Sequence, residues 1–298
     1  MPARLSTAGV ALGAGVLGAV QPKINAVLGD RLDDSLVASL VNFVAALIAV
    51  SIAVLVRPAT RAQLRAVRRW PVPRWTLSAG AGGALVVLSG AVAVETIGVA
   101  AFSVAFFAGQ VAFGLVLDRL GVAPGGRRSL TAVRVGAAAL AIVAVVASQA
   151  GREVDDLEPA LLAFVALAGA ASALQSSANG RITAAIRDPV AATAVNVMVG
   201  VGVLAIVAVT GGAFDGVTWP AAPWLYTGGL LGVTIVLSLA IATAALGVLR
   251  TTILMLAAQL VTAFVVDWIV YEDPPTIGAV AGAALVVVAV LLVRRPSR

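Results

Sequence analysis

The sequence divides into ten apolar segments, each long enough to cross a lipid bilayer as one helix. A bilayer core about 30 Å thick needs roughly 20 apolar residues per helix. The approximate limits of the segments are 5–28, 35–56, 75–94, 98–118, 129–148, 159–181, 189–210, 223–244, 247–270 and 276–293. Because lipid offers no partner to backbone polar groups, spanning segments of this length are helices. The sequence therefore predicts an all-α integral membrane protein with ten transmembrane helices.

The residue composition agrees with lipid as the solvent and removes several kinds of chemistry. Hydrophobic residues make up 61% of the 298 residues and charged ones only 11%, which is more apolar surface than a soluble core of this size needs. The chain has no Cys and no His, so thiol nucleophiles, disulfides, histidine metal sites and imidazole catalysis are excluded. We expect no catalytic residue, no metal and no cofactor, and the first segment is too long for a signal peptide, so it should be retained.

The arginines predict the orientation of the chain. With a cytoplasmic N-terminus, seventeen arginines fall on the inner side and only Arg31 and Arg152 on the outer side. Positive charge favours the cytoplasmic side of membrane proteins, so both termini should face the cytoplasm. The connector "RPATRAQLRAVRRWPVPR" could instead bind nucleic acid or anionic lipid. Since every other loop on that side is also basic, we interpret it as a topology anchor and expect no nucleic-acid partner.

The two halves of the chain repeat each other. Residues 20–43 align without a gap with residues 174–197, which places Gln21, Asn25 and Asn42 opposite Gln175, Asn179 and Asn196. Later positions match at an offset of 149 residues, among them Trp75 with Trp224, Gly83 with Gly232, Gly98 with Gly247, Gln110 with Gln259 and Asp118 with Asp267. Rare residues match in order, which chance similarity between Ala/Val-rich helices would not produce. The predicted organisation is a first repeat at 1–148, an outward acidic connector at 149–158 and a second repeat at 159–298.

An odd number of spans per repeat has a geometric consequence. Five spans make the second repeat enter the membrane from the opposite side, so the repeat is predicted to be inverted. The distribution of arginines supports inversion. The connector between spans 2 and 3 has six arginines, whereas its counterpart in the second repeat, "GGAFDGVTWPAAP", has none. Inverted repeats let one central site open to either side of the membrane.

Amide side chains within the apolar segments are the candidate binding residues. A neutral amide both donates and accepts hydrogen bonds, so a cavity lined by amides suits neutral polar, zwitterionic or weakly charged solutes. The alternative is that these amides only bond neighbouring helices together. The midspan pair favours a cavity, because an unneeded polar group costs most at that depth. The candidates are Gln110 and Gln259 at midspan, and Gln21, Asn25, Asn42, Gln175, Asn179 and Asn196 nearer the two surfaces.

Few charges lie within the segments. Glu95, in the short sequence "VETIG", is interpreted either as a solvated turn residue or as a proton or cation site. Asp118 and Asp267 lie near helix ends and are interpreted as interfacial anchors, with coupling or gating as the alternative. Lys23 should extend its long stem towards the membrane surface.

These motifs give the chain a family resemblance. The paired "QPKIN…VNF" and "QSSAN…VNV" sequences, with "GQVAFGLVLDRLG" in the fourth span, make it resemble the YdcZ-like branch of the drug/metabolite transporter superfamily, in a fused ten-span form. The resemblance implies an exporter in a bacterial inner membrane. The second copy, "AAQLVTAFVVDWIVY", lacks the two glycines that flank this motif in the first copy, so the halves are equivalent only approximately at the site.

Two glycine patterns are interpreted as packing surfaces. "GAGVLG" at 13–18 fits a dinucleotide-binding pattern but lies inside an apolar segment with no preceding strand. The pairs Gly9/Gly13 and Gly278/Gly282 have the spacing of small-residue helix contacts, within the bundle or between protomers of a homodimer.

The sequence thus favours a secondary transporter for a small polar or amphipathic metabolite or drug. A membrane enzyme would need a concentration of acids, bases or metal ligands that the chain does not have. A passive channel or a membrane assembly subunit without active transport remains the alternative, because the same repeat would serve it.

Overall fold

The structure, a computed structural model, describes residues 2–148, 158–211, 217–271 and 277–294, and the regular structure of these ranges is helical. The acidic connector therefore lies outside the described residues except for Glu158. Short 3₁₀ turns cover Val67–Arg69, Arg74–Ser78 and Pro223–Thr227. The α-helices are α1 (Pro2–Leu32), α2 (Ser35–Val56), α3 (Pro58–Arg65), α4 (Gly80–Leu120), α5 (Ala132–Ser148), α6 (Pro159–Ile186), α7 (Pro189–Thr210), α8 (Gly228–Leu246), α9 (Val248–Tyr271) and α10 (Ile277–Arg294).

The helices form a membrane bundle. Within the described residues, seven helical segments are long and apolar enough to cross a bilayer, and α5 and the 280–292 part of α10 are shorter apolar helices. Large aliphatic side chains such as Leu55, Ile206 and Ile269 remain exposed on the outer surface of the bundle. Exposure of so much apolar surface would be unfavourable in water, so this surface faces lipid.

The structure assigns one helix, α4, to the residues that the sequence divides into the third and fourth predicted spans, and this helix begins at Gly80 rather than at 75. Glu95 and Gly98 are in helical backbone. A straight helix would separate Gly82 from Gln110 by about 42 Å. Both instead lie against neighbouring residues of α6, since a Cβ on Gly82 would be 2.9 Å from the carbonyl oxygen of Ala171 and Gln110 bonds to Ser172. Helix α4 therefore folds back on itself, and its two limbs lie along α6.

Glycines allow the closest helix contacts, and these contacts recur between the two halves. A Cβ on Gly15 of α1 would collide with the carbonyl oxygen of Met255 in α9. A Cβ on Gly169 of α6 would collide in the same way with the carbonyl oxygen of Phe106 in α4. The glycines are 154 residues apart and their partners 149 residues apart, which are the offsets of the sequence repeat.

A second pair of contacts follows the same offsets. Gly80 lies against the carbonyl oxygen of Asn196, and Gly229 lies against the carbonyl oxygen of Asn42. The helix starts match as well. Asp34 accepts hydrogen bonds from the backbone N–H groups of the first turn of α2, at 2.7 and 2.9 Å. Asp188 accepts the equivalent hydrogen bonds at the start of α7, at 3.0 and 3.1 Å. The same kind of helix cap therefore occurs in both halves.

The remaining glycine pairs differ in what they contact. Gly282 packs α10 onto Ala144 and Ser148 of α5, which places this contact within the bundle. A Cβ on Gly9 or Gly13 would have nothing within 4 Å in the described chain.

We expect Gly15→Ala and Gly169→Ala to destabilise the protein, whereas Gly13→Ala should not. Each of the first two changes pushes a methyl group into a backbone carbonyl of the facing helix, and overpacking of this kind costs about 1–3 kcal/mol. Gly13→Ala adds the same methyl group to the same helix, where no atom lies within 4 Å. Thermal denaturation of the detergent-solubilised variants measures the difference. Equal midpoints for Gly13→Ala and Gly15→Ala would show that α1 and α9 are not in such close contact.

The arginine-rich connector folds against the bundle. Its first part forms α3, and Trp70 is buried beside Ile182, Ala191 and Ala192. The Trp70 indole donates a hydrogen bond to the Gln63 carbonyl oxygen at 3.0 Å. The connector is thus an ordered surface element held by an aromatic residue, and five of its six arginines are exposed.

Candidate functional site

A cavity of about 260 Å³ lies between the two halves of the bundle. Helices α1, α2, α4, α6, α7, α8 and α9 all contribute to its wall. The amide side chains proposed from the sequence come together here, and the wall contains Gln21, Asn25, Asn42, Gln110, Gln175, Asn179, Asn196 and Gln259. Four of them come from each half of the chain, so the cavity belongs to both repeats.

Among the described residues, the wall of this cavity has no charged side chain. Besides the amides it consists of serines, glycines and apolar residues, including Phe43, Phe106 and Phe107. Two of the aromatic rings, those of Phe106 and Phe107, meet edge to face at 5.3 Å. An uncharged wall with many donors and acceptors and three aromatic rings is suited to an uncharged or zwitterionic solute with an apolar part.

On the side of the first repeat, α1 and α8 position Gln21. Its Nε2 donates to the Gly228 carbonyl oxygen at 3.0 Å, and a Cβ on Gly232 would be 2.5 Å from that nitrogen. Asn25 lies one turn further along α1, where its Oδ1 approaches Gly228. The two glycines of α8 therefore make the space that the two amides occupy.

The second repeat uses the same positions with different bonds. A Cβ on Gly83 would be 3.1 Å from Nε2 of Gln175, which repeats the Gly232–Gln21 contact. Here, however, Gln175 donates to Oδ1 of Asn196 at 2.9 Å. In the first repeat both amide atoms of Asn42 are buried with no hydrogen-bond partner. The two halves thus share residues but differ in hydrogen bonding.

The midspan glutamines, Gln110 and Gln259, are repeat partners that both line the cavity. Nε2 of Gln110 donates to the Ser172 hydroxyl at 3.1 Å, while Oε1 of Gln259 would be 3.3 Å from a Cβ on Gly18. Ser172 and Gly18 are themselves repeat partners, 154 residues apart. Both glutamines line the cavity, and the Oε1 atom of each is buried without a hydrogen-bond partner, so each residue has an acceptor that the protein leaves unused.

Other cavity amides also retain unused groups. Oδ1 of Asn25, Oδ1 of Asn179 and Nδ2 of Asn196 are buried and unpartnered within the bundle. A buried polar group without a partner costs about 1–3 kcal/mol. A solute that supplies complementary donors and acceptors would recover part of this free energy, which makes the arrangement favourable for binding.

Sequence reasoning did not identify several wall residues. Ser39, Ser172 and Ser176 line the cavity, but isolated serines in an apolar helix carry no distinguishing pattern. Gly83 and Gly232 were repeat-matched in the sequence, and that match was the only available signal for their role beside Gln175 and Gln21.

Asp118 is not an interfacial anchor as predicted, because its side chain is fully buried. It forms an ion pair of 2.6 Å with Arg134 of α5. Its two oxygens also accept from the backbone N–H groups of Val248 and Leu249, at 3.2 and 3.4 Å. The carboxylate therefore joins α4, α5 and the start of α9, away from the cavity wall. The side chains of Glu95 and Asp267 lie outside the described residues, although both residues are in helical backbone.

Comparison with known proteins gives a family match. A family model described as "Putative inner membrane exporter, YdcZ" matches residues 7–147 and again residues 160–292. No curated protein matched the chain. A solved crystal structure resembles the fold with a TM-score of 0.71 at 15% sequence identity, and the alignment covers 99% of this chain and 97% of the other. The fold is thus shared with a distant protein of nearly the same length.

Proposed function

The chain belongs to the YdcZ family of inner-membrane exporters, and from that premise we propose that it is a secondary transporter working by alternating access. Its substrate is a small polar or amphipathic metabolite or drug without net charge, which moves across a bacterial inner membrane. One observation carries the proposal: eight amides from both halves line one cavity of about 260 Å³, and none of the described wall residues is charged. Family membership supports a transport role rather than an enzymatic one.

The proposed architecture is ten spans in two inverted repeats. Three helical pieces add to the seven spanning segments, namely the first limb of α4, α5 and α10, which makes ten. The contact that Gly15 makes with a facing helix recurs at Gly169, and the contact of Gly80 recurs at Gly229. These equivalent contacts support a structural repeat. The separate matches of one family model to each half support it too. Because each repeat has five spans, an odd number, the second repeat enters the membrane from the opposite side, which makes the repeats inverted.

Differences between the halves support alternating access. In an inverted-repeat transporter the two repeats adopt different conformations, and exchange of these conformations moves the opening from one side to the other. Gln175 bonds to Asn196 in one half, while Gln21 bonds to a backbone carbonyl in the other. Likewise, Gly247 interrupts the helix between α8 and α9, whereas Gly98 lies within helical α4.

Flux in proteoliposomes tests the function. Purified protein would be reconstituted and supplied with a panel of radiolabelled solutes, both uncharged and charged, with an imposed proton or sodium gradient. We expect accumulation of an uncharged or zwitterionic solute against its own gradient. Purely downhill flux would identify a passive channel, and selective transport of strongly charged solutes would contradict the assignment of this cavity as the site.

The orientation gives a separate prediction. Single cysteines introduced into this Cys-free chain should be labelled from outside intact cells at positions 155 and 215, which lie outside the described residues. Cysteines at Arg65 and Arg127 should be protected, because the positive-inside bias places both in the cytoplasm. A membrane-impermeant maleimide measures labelling, with permeabilised cells as the control for reactivity. External labelling at position 65 would reverse the proposed topology.

A further inference from the structure

A second cavity, of about 410 Å³, lies on the arginine-rich face of the bundle and shares no wall residue with the amide cavity. Four arginines line it, namely Arg127, Arg128, Arg134 and Arg250. The rest of the wall includes Ser129, Ala245 and Leu246. It lies where the α4–α5 connector meets the break between α8 and α9. The connector is held there by a hydrogen bond of 2.9 Å from the backbone N–H of Arg128 to the Asp118 carbonyl oxygen.

Two helices begin at this cavity with a basic residue in the first turn. Arg134 lies in the first turn of α5 and Arg250 in the first turn of α9, and neither turn contains an acidic residue. The N-terminus of a helix carries partial positive charge and favours anions. The Asp118 carboxylate already accepts from the first N–H groups of α9, and Thr131 accepts from the N–H of Arg134. The arginines, rather than the helix ends, therefore make this place favourable for an anion.

Only part of this positive charge is balanced inside the protein. The ion pair of Asp118 with Arg134 supplies one carboxylate, and the Arg128 guanidinium bonds to the Leu246 carbonyl oxygen at the end of α8. Nε of Arg134 is buried without a hydrogen-bond partner. Asp118 balances Arg134, whereas neither Arg127 nor Arg128 has a carboxylate partner among the described residues, and these two guanidinium groups leave an excess of positive charge around the cavity.

The two repeats do not share these arginines. At the offset of 149 residues, Arg128, Arg134 and Arg250 correspond to Ile277, Ala283 and Ala101. A positive-inside bias alone would be met by exposed loop arginines. It does not explain why four arginines converge on one cavity.

We propose that this cavity binds a phosphate-bearing anion, either the headgroup of an acidic phospholipid or a free phosphate compound. Guanidinium groups bind phosphate oxygens through paired, charge-assisted hydrogen bonds. The bound anion bridges the α4–α5 connector, α5 and α9. It therefore ties the end of the first repeat to the second one.

Binding of two probes tests the proposal. The full-length protein would be analysed by native mass spectrometry with phosphatidylglycerol or phosphatidylcholine, and by thermal shift with inorganic phosphate. The variant Arg127→Gln/Arg250→Gln removes two charges from the cavity. Its matched control, Arg68→Gln/Arg69→Gln, removes two exposed charges from the arginine-rich connector. The single variant Arg127→Gln affects an exposed side chain and serves if the double variant folds poorly.

We expect the unmodified protein to prefer an anionic probe, and the cavity variant to bind it at least about tenfold more weakly, the effect of one lost charge-assisted hydrogen bond. The control should bind normally. Preference for phosphatidylglycerol alone identifies a lipid site, and stabilisation by phosphate alone identifies a site for a soluble anion. Equal binding of both lipids with no effect of phosphate would overturn the proposal, as would an equal loss in the control variant.

Discussion

Replacing either midspan glutamine with leucine, in Gln110→Leu or Gln259→Leu, is expected to reduce transport per molecule at least about tenfold while the protein remains folded. Each glutamine lines the cavity and has an Oε1 without a hydrogen-bond partner. A solute group that loses this partner in a buried site forfeits about 1–3 kcal/mol, which corresponds to roughly one to two orders of magnitude in binding. If the glutamines only joined helices, their loss would cost about 0.6–1.7 kcal/mol of bundle stability and leave transport intact.

The experiment measures uptake or efflux per reconstituted molecule together with the thermal midpoint. Ala112→Leu is the matched control, because it places the same side chain on the exposed side of the same helix. Asn42→Leu provides a comparison within the cavity wall, where both amide atoms lack a partner. Normal transport by both glutamine variants would show that these residues only pack helices together and do not bind the solute.

Asp118→Ala is expected to destabilise the protein by about 3–5 kcal/mol, because it leaves the buried Arg134 without its counter-ion. The carboxylate is also the acceptor for the first two backbone N–H groups of α9, so the change removes a helix cap as well. The variant should reach the membrane in reduced amount and melt at a lower temperature. Asp30→Ala, which removes an exposed carboxylate from α1, should change stability by less than about 0.5 kcal/mol.

A double variant separates the ion pair from the helix cap. Replacement of both charges, in Asp118→Leu with Arg134→Met, should recover much of the loss, since apolar side chains often substitute for a buried ion pair at little cost. Recovery should remain incomplete because Val248 and Leu249 still lack their acceptor. If Asp118→Ala melts like the unmodified protein, the pair contributes nothing to the stability of the fold.

The repeat in the sequence predicts which amide residues line the cavity, but it does not predict the hydrogen bonds that they form. Gln21, Asn42 and Gln110 stood out because each matched a rare residue in the second copy, and all three line the same cavity with their partners. The pattern identifies positions that the fold uses twice. It gives no information about which hydrogen bonds form, and Gln21 and Gln175 indeed bond differently.

The role of Asp118 could not be read from the sequence because it depends on distant partners. Arg134 lies 16 residues away, and Val248 lies 130 residues away in the other repeat. The connector between α4 and α5 brings Arg134 back through three glycines with positive φ, Gly121, Gly125 and Gly126. The sequence showed only a carboxylate near a helix end beside Arg119, a pattern typical of the membrane surface.

The element α4 covers two predicted spans. The short sequence between the third and fourth segments contains Gly98, a common point of helix interruption, and the repeat partner Gly247 does interrupt the chain. Both limbs of α4 pack against α6, so the chain reverses direction within α4, as two separate spans require.

The pair Gly98 and Gly247 also limits which residues evolution can place there. Gly247 has φ 83° and ψ 169°, a combination open essentially to glycine alone, while Gly98 is helical. If the halves exchange conformations during each cycle, Gly98 must adopt the extended, positive-φ geometry whenever Gly247 becomes helical. Alanine at position 98 would then be strained whenever that residue had to leave helical backbone, and the added methyl group would hold the protein with one side of the membrane closed.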